Sequence, residues 1–285
     1  MNQPEKADYA GQRIALLTQH GKERVIAPLF EAALGCEVAH VTGFDTDRLG
    51  TFSREIPRPG SQLDAARRKA RIGMELSGLA QGLASEGAFG PDPCTGLFAW
   101  HVECVLFIDD ERDLEIVGLA QGSTNFSHRL VADWADAAAF ARQIGFPGHH
   151  LLLRPQGMDD ARITKDIRDW VAFESAFARA REQAPNGLVF LESDMRAHAN
   201  PTRMANIARA TEDLLMKLRS CCPVCGTPGY GLLERVPGLP CADCGAATRE
   251  VQAEVYGCLK CGQRERRAVA ADRAADPGAC DYCNP

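Results

Sequence analysis

Hydrophobic and polar positions in the first forty residues fall into blocks that predict a strand, a helix and a second strand. Residues 13–18 form a short apolar run typical of a buried strand. Residues 25–34 repeat apolar side chains at helical spacing, and Gly35 marks the end of that helix. Residues 36–41 alternate and predict the second strand. This order indicates a right-handed βαβ unit, whose first loop lies at the carboxyl end of a strand, where open α/β sheets place ligands.

Further blocks of this kind predict an α/β domain with a mixed sheet and flanking helices. Residues 42–60 are rich in Gly, Pro, Asp and Thr and predict a long loop, which is often functional when it is ordered. The pattern then predicts helices from Ser61, from Asp133, over residues 169–184 and from near Pro201, with strands at residues 101–110, 114–122, 151–155 and 188–194. We expect a disordered N-terminus over residues 1–12, the α/β domain over residues 13–220 and a separate small module over residues 221–285.

Cysteine spacing changes the picture for the last part of the chain. Eight of the twelve cysteines stand there in four CxxC pairs: Cys222/Cys225, Cys241/Cys244, Cys258/Cys261 and Cys280/Cys283. One CxxC turn brings two sulfurs into a coordination sphere and a second turn completes it, so four pairs match two tetrahedral four-thiolate Zn²⁺ sites. Because four sulfurs leave no open position on the metal, we expect both sites to be structural.

The residues around the CxxC pairs indicate zinc knuckles and suggest how they combine. Glycine follows three of the pairs and Asn284 follows the fourth, as expected where the backbone turns tightly around a sulfur. Residues 250–255 alternate and predict a strand between the second and third pairs. This favours a zinc ribbon that joins the second pair to the third and leaves the first to close with the fourth, although the spacing leaves other pairings open. Cys221 is the spare thiol beside the ligand Cys222.

Charge and hydropathy exclude several classes of partner. The formal net charge is −6, and the residues from 221 onward carry seven Lys/Arg against eight Asp/Glu. Neither count favours binding to nucleic acid or to an anionic membrane. The tyrosines of this tail (Tyr230, Tyr256 and Tyr282) are too scattered to form a stacking surface for RNA. No apolar run reaches the length of a membrane span and the first dozen residues are polar, so we expect a cytoplasmic protein. The nearly neutral charge of the tail favours a protein over nucleic acid as its possible partner.

Three carboxylates are candidate metal ligands or catalytic groups. Glu86 stands between small residues in the stretch 83–93, which we interpret as a turn where a carboxylate can approach a ligand closely. Glu103 points away from the apolar face of its predicted strand, so it is either solvated or functional. Asp109 lies at the end of the same strand.

Two groups of basic residues are candidates for binding an anion. Lys69 lies in the basic run 67–71 of a predicted helix, which is either a solvated face or an anion-binding face directed at the long loop. Arg196, His198 and Arg203 surround the start of the helix near Pro201, whose positive end favours anions. His149 and His150 lack a third ligand at diagnostic spacing, and we interpret them as polar residues at the entrance of a strand.

The order of elements resembles the inosine-triphosphate pyrophosphatase-like fold, in particular its inosine/xanthosine triphosphatase branch. The residues that carry the resemblance are Thr18, His20 and Lys22 after the first strand, Lys69 on the following helix, the turn Ser85, Glu86 and Gly87, and Arg203 at a later helix start. His20 stands where that family usually has Asn, and Lys22 is one position early. Over its whole length the chain is similar to an uncharacterised bacterial family that joins such a domain to a four-CxxC tail ending in Cys-Asn-Pro.

The resemblance implies Mg²⁺-dependent hydrolysis of a nucleoside triphosphate with release of pyrophosphate. Glu86, helped by Glu103 or Asp109, would hold Mg²⁺ through hard oxygen ligands. The phosphates would be bound by residues that supply hydrogen bonds or positive charge, namely Thr18, His20, Lys22, Arg58, Lys69 and Arg203. The alternative is a protein without catalytic activity, either a sensor of a nucleotide or another phosphorylated small molecule, or an adaptor whose zinc tail binds a protein.

Overall fold

A computed structural model describes residues 8–49, 60–269 and 273–285 of the chain. The chain divides into two compact units. Tyr9–Leu214 form the first, which we call the α/β unit, and Leu215–Pro285 belong to the second, which we call the cysteine module. Each unit has its own sheets and its own core.

The first sheet of the α/β unit contains five strands in the order β2-β1-β3-β4-β5. Its strands and helices are β1 (Arg13–Leu17), α1 (Glu23–Leu34), β2 (Glu37–Val41), α2 (Gln62–Ser77), β3 (Gln81–Pro91), β4 (Ala99–Asp109) and β5 (Leu114–Ser123). Strands β2, β1 and β3 are parallel, whereas β3, β4 and β5 are antiparallel. The sheet is therefore mixed, and the predicted α/β class with flanking helices is confirmed.

The two faces of this sheet are covered by different helices. Ala70 and Met74 of α2 pack against Cys104 and Leu106 of β4, so the even-numbered side chains of β4 face α2. Phe107 faces the other way, with its ring centroid 6.3 Å from that of Phe30 on α1. These two faces decide where the functional side chains can meet.

The second sheet of the α/β unit contains four antiparallel strands in the order β6-β9-β7-β8. Its elements, with the long helix that follows, are β6 (His128–Val131), α3 (Trp134–Gln143), β7 (Leu151–Pro155), β8 (Thr164–Ile167), α4 (Trp170–Gln183), β9 (Val189–Ser193) and α5 (Pro201–Arg219). Phe140 of α3 and both Phe173 and Phe177 of α4 fill its core, and the two phenylalanines of α4 lie four residues apart on one side of that helix.

Residues 83–93 are not the turn that their composition suggested. They belong almost entirely to β3, an eleven-residue strand in the centre of the first sheet. Gly82 shows why small residues occur here, because a Cβ at this position would lie 2.6 Å from the side chain of Met74 on α2. Close packing, and not a turn, explains the small residues around Glu86.

The cysteine module is built on a three-stranded antiparallel sheet, β10 (Gly231–Pro237), β11 (Val251–Gly257) and β12 (Arg264–Ala268), in that order. Strand β11 confirms the alternation seen between the second and third CxxC pairs. The buried apolar cluster of the module is small. It consists of Cys222, Tyr230 and Cys258, with Tyr256 packed against it. Among the described residues of both units, no helix is long and apolar enough to cross a membrane.

Candidate functional site

The eight CxxC cysteines form two separate four-sulfur groups. The first group contains Cys222, Cys225, Cys258 and Cys261, and the second contains Cys241, Cys244, Cys280 and Cys283. Sulfur atoms from opposite knuckles lie 3.6 to 3.9 Å apart. A tetrahedral zinc ion with Zn–S bonds of about 2.3 Å requires sulfurs about 3.8 Å apart, so either group could hold one Zn²⁺ ion.

This arrangement corrects the pairing that the sequence favoured. The first knuckle shares its group with the third and the second with the fourth, so the two sites are interleaved along the chain. The cause is strand β10, which sequence analysis did not find. In the antiparallel β10–β11 pair Gly231 lies opposite Gly257, which places the first and third knuckles at the same end of the hairpin. The second knuckle lies beyond the other end, where Pro237 pairs with Val251.

The knuckle geometry agrees with metal binding through thiolates. Gly226, Gly245 and Gly262 have φ between 73° and 75°, in the left-handed region that glycine adopts without strain. Asn284 donates the equivalent amide hydrogen bond, to the carbonyl of Cys280, without a positive φ. Hydrogen bonding with Thr227 lowers the pKa of the Cys225 thiol to about 6. Despite a backbone hydrogen bond from Gln263, burial and the neighbouring sulfurs raise the pKa of Cys261 to about 12, so a bound zinc ion would have to displace the proton from at least one sulfur of this group.

In the α/β unit the structure brings five of the predicted residues into one buried group, which we call the charged cluster: Lys22, Lys69, Glu86, Glu103 and Arg203. Lys22 lies at its centre, just before α1, and its Nζ donates a 3.0 Å hydrogen bond to the carbonyl of Ser85 on β3. Burial, followed by the positive charge of Arg203, lowers the pKa of Lys22 to about 8. Glu103 and Glu86 oppose this effect.

Glu103 is held on the face of the sheet that carries α5. Nε of Arg203, in the first turn of α5, lies 3.1 Å from Oε2 of Glu103, and Nε2 of His101 lies 2.9 Å from the same oxygen. Burial alone raises the pKa of Glu103, but Arg203 and His101 outweigh it and hold the pKa at about 2. Burial lowers the pKa of His101, and its Nδ1 lies 2.6 Å from the amide nitrogen of Asn206. His101 is therefore a neutral imidazole that donates to a carboxylate.

Glu86 is held on the opposite face. It forms a buried ion pair with Lys69 of α2. The register of β3 and β4 places Glu86 opposite Cys104, and Gly87 opposite Glu103. Since cross-strand neighbours share a face and successive residues alternate, the two glutamates project from opposite faces of the sheet. They are neighbours in the sheet, but they do not form the paired carboxylates that a shared Mg²⁺ ion needs.

The remaining predicted residues do not belong to this cluster or lie outside the described part of the chain. Thr18 and His20 line a cavity of about 220 Å³ at the carboxyl ends of β1 and β2, together with His40. Asp109 is six residues from Glu103 along β4, about 20 Å away. It accepts hydrogen bonds from the Tyr9 hydroxyl at 3.1 Å and from Arg112 at 2.9 Å, and the Arg112 contact lies within the turn between β4 and β5. Arg58 lies outside the described residues.

Residues 69–285 match a protein family described as a domain of unknown function, DUF6671. The chain belongs to the DUF6671 family. A search of curated proteins and a search of solved structures returned no match. The matched region of DUF6671 includes Lys69, Glu86, Glu103, Arg203 and all eight knuckle cysteines, while Lys22 and the cavity residues precede it.

Sequence reasoning missed His101 and Asn206, which complete the surroundings of Glu103 in the DUF6671 region. His101 could have been found from its spacing, because it lies two residues before Glu103 and residues two apart on a strand share a face. Asn206 lies three residues after Arg203 on α5 and so projects from the same side of that helix. Both positions could have been found once Glu103 and Arg203 were selected.

Gly87 provides a direct test of how closely β3 approaches the ion pair of Glu103 and Arg203. A Cβ at Gly87 would lie 2.6 Å from Oε2 of Glu103 and 3.0 Å from Nη2 of Arg203. We expect Gly87→Ala to lower the free energy of unfolding by about 1–3 kcal/mol, because the added methyl group displaces a buried ion pair. Chemical denaturation measures this change.

The matched control is Gly90→Ala, on the same strand, where a Cβ would meet nothing within 4 Å. This variant should unfold within about 0.5 kcal/mol of the wild type. Equal stabilities of the two variants would show that the described approach of β3 to Glu103 is wrong.

Proposed function

We propose that the α/β unit binds a small phosphorylated ligand at the carboxyl end of β1, and that the cysteine module is a structural unit with two zinc ions. The observation that carries the first part is the burial of Lys22 beside the cavity loop. Lys22 has 5% of its surface exposed, yet the neighbouring Gly21 and Glu23 line the cavity. Glu103, Glu86 and the carbonyl of Ser85 compensate the buried ammonium group only in part, since the pKa of Lys22 stays lowered to about 8, so a further anion nearby would stabilise its charge.

The charge of the surroundings supports an anionic ligand. The charged cluster contains three cationic side chains and two carboxylates, and burial lowers the pKa of His101 beside them. The cluster therefore has one positive charge in excess. The cavity of about 220 Å³ is small compared with common ligand sites of about 300–1,000 Å³, which favours a phosphate or a compact phosphate ester.

Binding should depend on Lys22. We expect Lys22→Met to weaken the binding of inorganic phosphate or AMP by roughly 10- to 150-fold, as for the loss of a charged hydrogen bond. Isothermal titration calorimetry measures this change. The control Arg24→Met removes a charge from the same loop, where the Arg24 side chain is 84% exposed, and should bind like the wild type. If the wild type binds neither probe at millimolar concentration, or if Lys22→Met binds equally well, the proposal is wrong.

The lowered pKa of Lys22 gives two pH dependences with opposite signs. Affinity for a phosphate monoester should fall as the pH rises through about 8, since Lys22 loses its charge there while the ester stays dianionic. The free energy of unfolding should rise between pH 8 and 10.5, because the unfolded chain binds the Lys22 proton more tightly than the folded chain does.

A second candidate is the Mg²⁺-dependent nucleoside triphosphate pyrophosphatase that the chain resembles. One observation favours it, because the residues matched to that family lie in one cluster with Glu103. These residues are Lys22, Lys69, Glu86 and Arg203. Oε1 of Glu103 is buried and has no hydrogen-bond partner within the described residues, and a carboxylate oxygen is a ligand that Mg²⁺ accepts. A bound metal would polarise the phosphate and orient a water molecule.

Pyrophosphate release from inosine or xanthosine triphosphate with Mg²⁺ tests this second candidate. We expect turnover by the wild type and a loss of about 100-fold or more in Glu86→Gln, while Glu75→Gln, an exposed change on α2, keeps full activity. Binding of the triphosphate without pyrophosphate release would reject the enzyme and leave the ligand-binding function in place.

A further inference from the structure

The two metal groups of the cysteine module have opposite electrostatic surroundings. Around the first group, residues 221–231 contain no charged side chain, whereas residues 257–267 contain four Lys/Arg and one Glu. Around the second group, residues 240–250 and 276–285 contain four Asp/Glu and one Arg. A four-thiolate zinc site carries the same net charge of about −2 in both places. Neutralising the thiolates therefore does not explain why the basic residues are concentrated at the first group.

Apolar side chains are also exposed at the first group. Val224 lies inside the first knuckle with 60% of its surface exposed, and Leu259 lies inside the third with 85% exposed. The sulfurs that flank them lie 3.6 and 3.7 Å apart across the group, so the two knuckles are direct neighbours. Neither side chain contributes to the buried cluster of the module. Exposed apolar residues on a rigid support are typical of a binding surface.

Basic residues follow Leu259 closely along the chain. Lys260 directly follows Leu259 and is exposed, as are Arg264 and Arg266 on β12. The acidic residue of this segment, Glu265, accepts bonds from Arg267 at 2.8 Å and from the Tyr230 hydroxyl at 3.1 Å. Residues 264 and 266 share one face of β12, and 265 and 267 share the other. Glu265 therefore does not neutralise Arg264 or Arg266.

Strand β12 adds backbone groups to this surface. It is an edge strand, and within the described residues it pairs only with β11. An edge strand can accept an extended peptide through main-chain hydrogen bonds, while its side chains select the sequence of that peptide. The basic side chains of β12 select for acidic residues.

We propose that Val224, Leu259, Lys260, Arg264 and Arg266, which we call the knuckle surface, bind a partner protein through an extended segment that carries an apolar side chain beside acidic residues. The apolar side chain would lie on Val224 and Leu259, and its acidic neighbours would face the three cations. This binding is independent of the phosphate site proposed for the α/β unit.

A random dodecapeptide library displayed on phage tests the proposal against the full-length, zinc-loaded protein. We expect enriched peptides to combine Leu, Ile, Phe or Met with Asp or Glu within two positions. A synthetic peptide of the enriched sequence should bind more weakly as salt rises from 0.05 to 0.5 M, because salt screens exposed charges.

Variants of exposed residues show where the peptide binds. The double variant Val224→Ser/Leu259→Ser should lose roughly tenfold or more in affinity, and so should Lys260→Glu/Arg264→Glu. The control Tyr282→Ser changes an equally exposed residue, at 82%, on a knuckle of the second group and should bind like the wild type. The proposal is overturned if no peptide is enriched, if the enriched peptides are basic, or if both double variants bind them like the wild type.

Discussion

Removal of zinc is expected to unfold the cysteine module while the core of the α/β unit stays folded. The module has few large buried apolar side chains, and its cluster of Cys222, Tyr230, Cys258 and Tyr256 is too small to stabilise a fold of this length. Structural zinc contributes about 10–16 kcal/mol per site in small domains. We therefore expect residues from about 220 onward to become sensitive to protease in a strong chelator, and protection to return when zinc is added back.

The α/β unit provides the internal control in the same sample. Its second core contains Phe140, Phe173 and Phe177 and includes no knuckle cysteine. Protection of this region from protease should be the same with and without the chelator. A module that stays resistant after all zinc is removed would contradict the structural role of the metal.

The interleaved pairing has its own test in the zinc content of double variants. Cys225→Ser/Cys258→Ser removes two ligands from one group, so a protein with one zinc ion is expected if the second site survives. Cys225→Ser/Cys244→Ser removes one ligand from each group and should leave no tightly bound zinc. The sequence favoured a different pairing, second knuckle with third and first with fourth. With that pairing, Cys225→Ser/Cys258→Ser would also remove one ligand from each group. Metal analysis of the purified proteins distinguishes the two arrangements.

Loss of the buried ion pair between Arg203 and Glu103 is expected to produce the largest stability change in the α/β unit. The side chain of Arg203 is 1% exposed and that of Glu103 is 0% exposed. Arg203→Met leaves the carboxylate of Glu103 buried without its main counter-charge, and such changes cost about 3–5 kcal/mol. Chemical denaturation at pH 7 measures this loss. The exposed control Arg179→Met on α4 should differ from the wild type by less than about 0.5 kcal/mol.

A double variant separates the loss of the pair from the cost of an unpaired charge. Adding Glu103→Leu to Arg203→Met replaces both charges with apolar groups, so we expect at least half of the lost stability to return. If the double variant is no more stable than Arg203→Met alone, the destabilisation comes from packing and not from the buried carboxylate.

Acid should weaken the same pair in the wild type. The pKa of Glu103 is about 2 in the folded protein, below its ordinary value of 4.5, since Arg203 and His101 outweigh the effect of burial. The contribution of Glu103 to stability is therefore complete above pH 4.5 and is lost as the pH falls through 2. Arg203→Met should show a smaller loss of stability over this range.

Local patterns in the sequence predicted much of the fold because each pattern reports which face of a short element is buried. The βαβ start, helix α4 and the alternation of β11 were all predicted in this way. The knuckles were also predictable from a local pattern, because a glycine follows three of the CxxC pairs. These glycines, Gly226, Gly245 and Gly262, have positive φ. The pairing of the knuckles depended on β10, which contains Pro237 and mixes charged with apolar residues.

The candidate site shows a different limit of sequence reasoning. Glu86, Glu103, Lys69 and Arg203 were selected one by one from their local sequence, whereas Lys22 was selected through the resemblance to the pyrophosphatase family. Whether Glu86 and Glu103 act together depends on the register between β3 and β4, which a single sequence does not reveal. A shift of one residue would place both carboxylates on one face and would favour a shared metal ion.

The interleaving of the two cysteine groups also determines the order in which the module can assemble during synthesis. The first group has all of its ligands once Cys261 has been made, whereas the second must wait for Cys283. Cys241 and Cys244 are synthesised earlier, but their partners lie beyond the hairpin of β10 and β11. The β10–β11 hairpin and the first four-cysteine group can therefore form a template onto which the last segment of the chain closes.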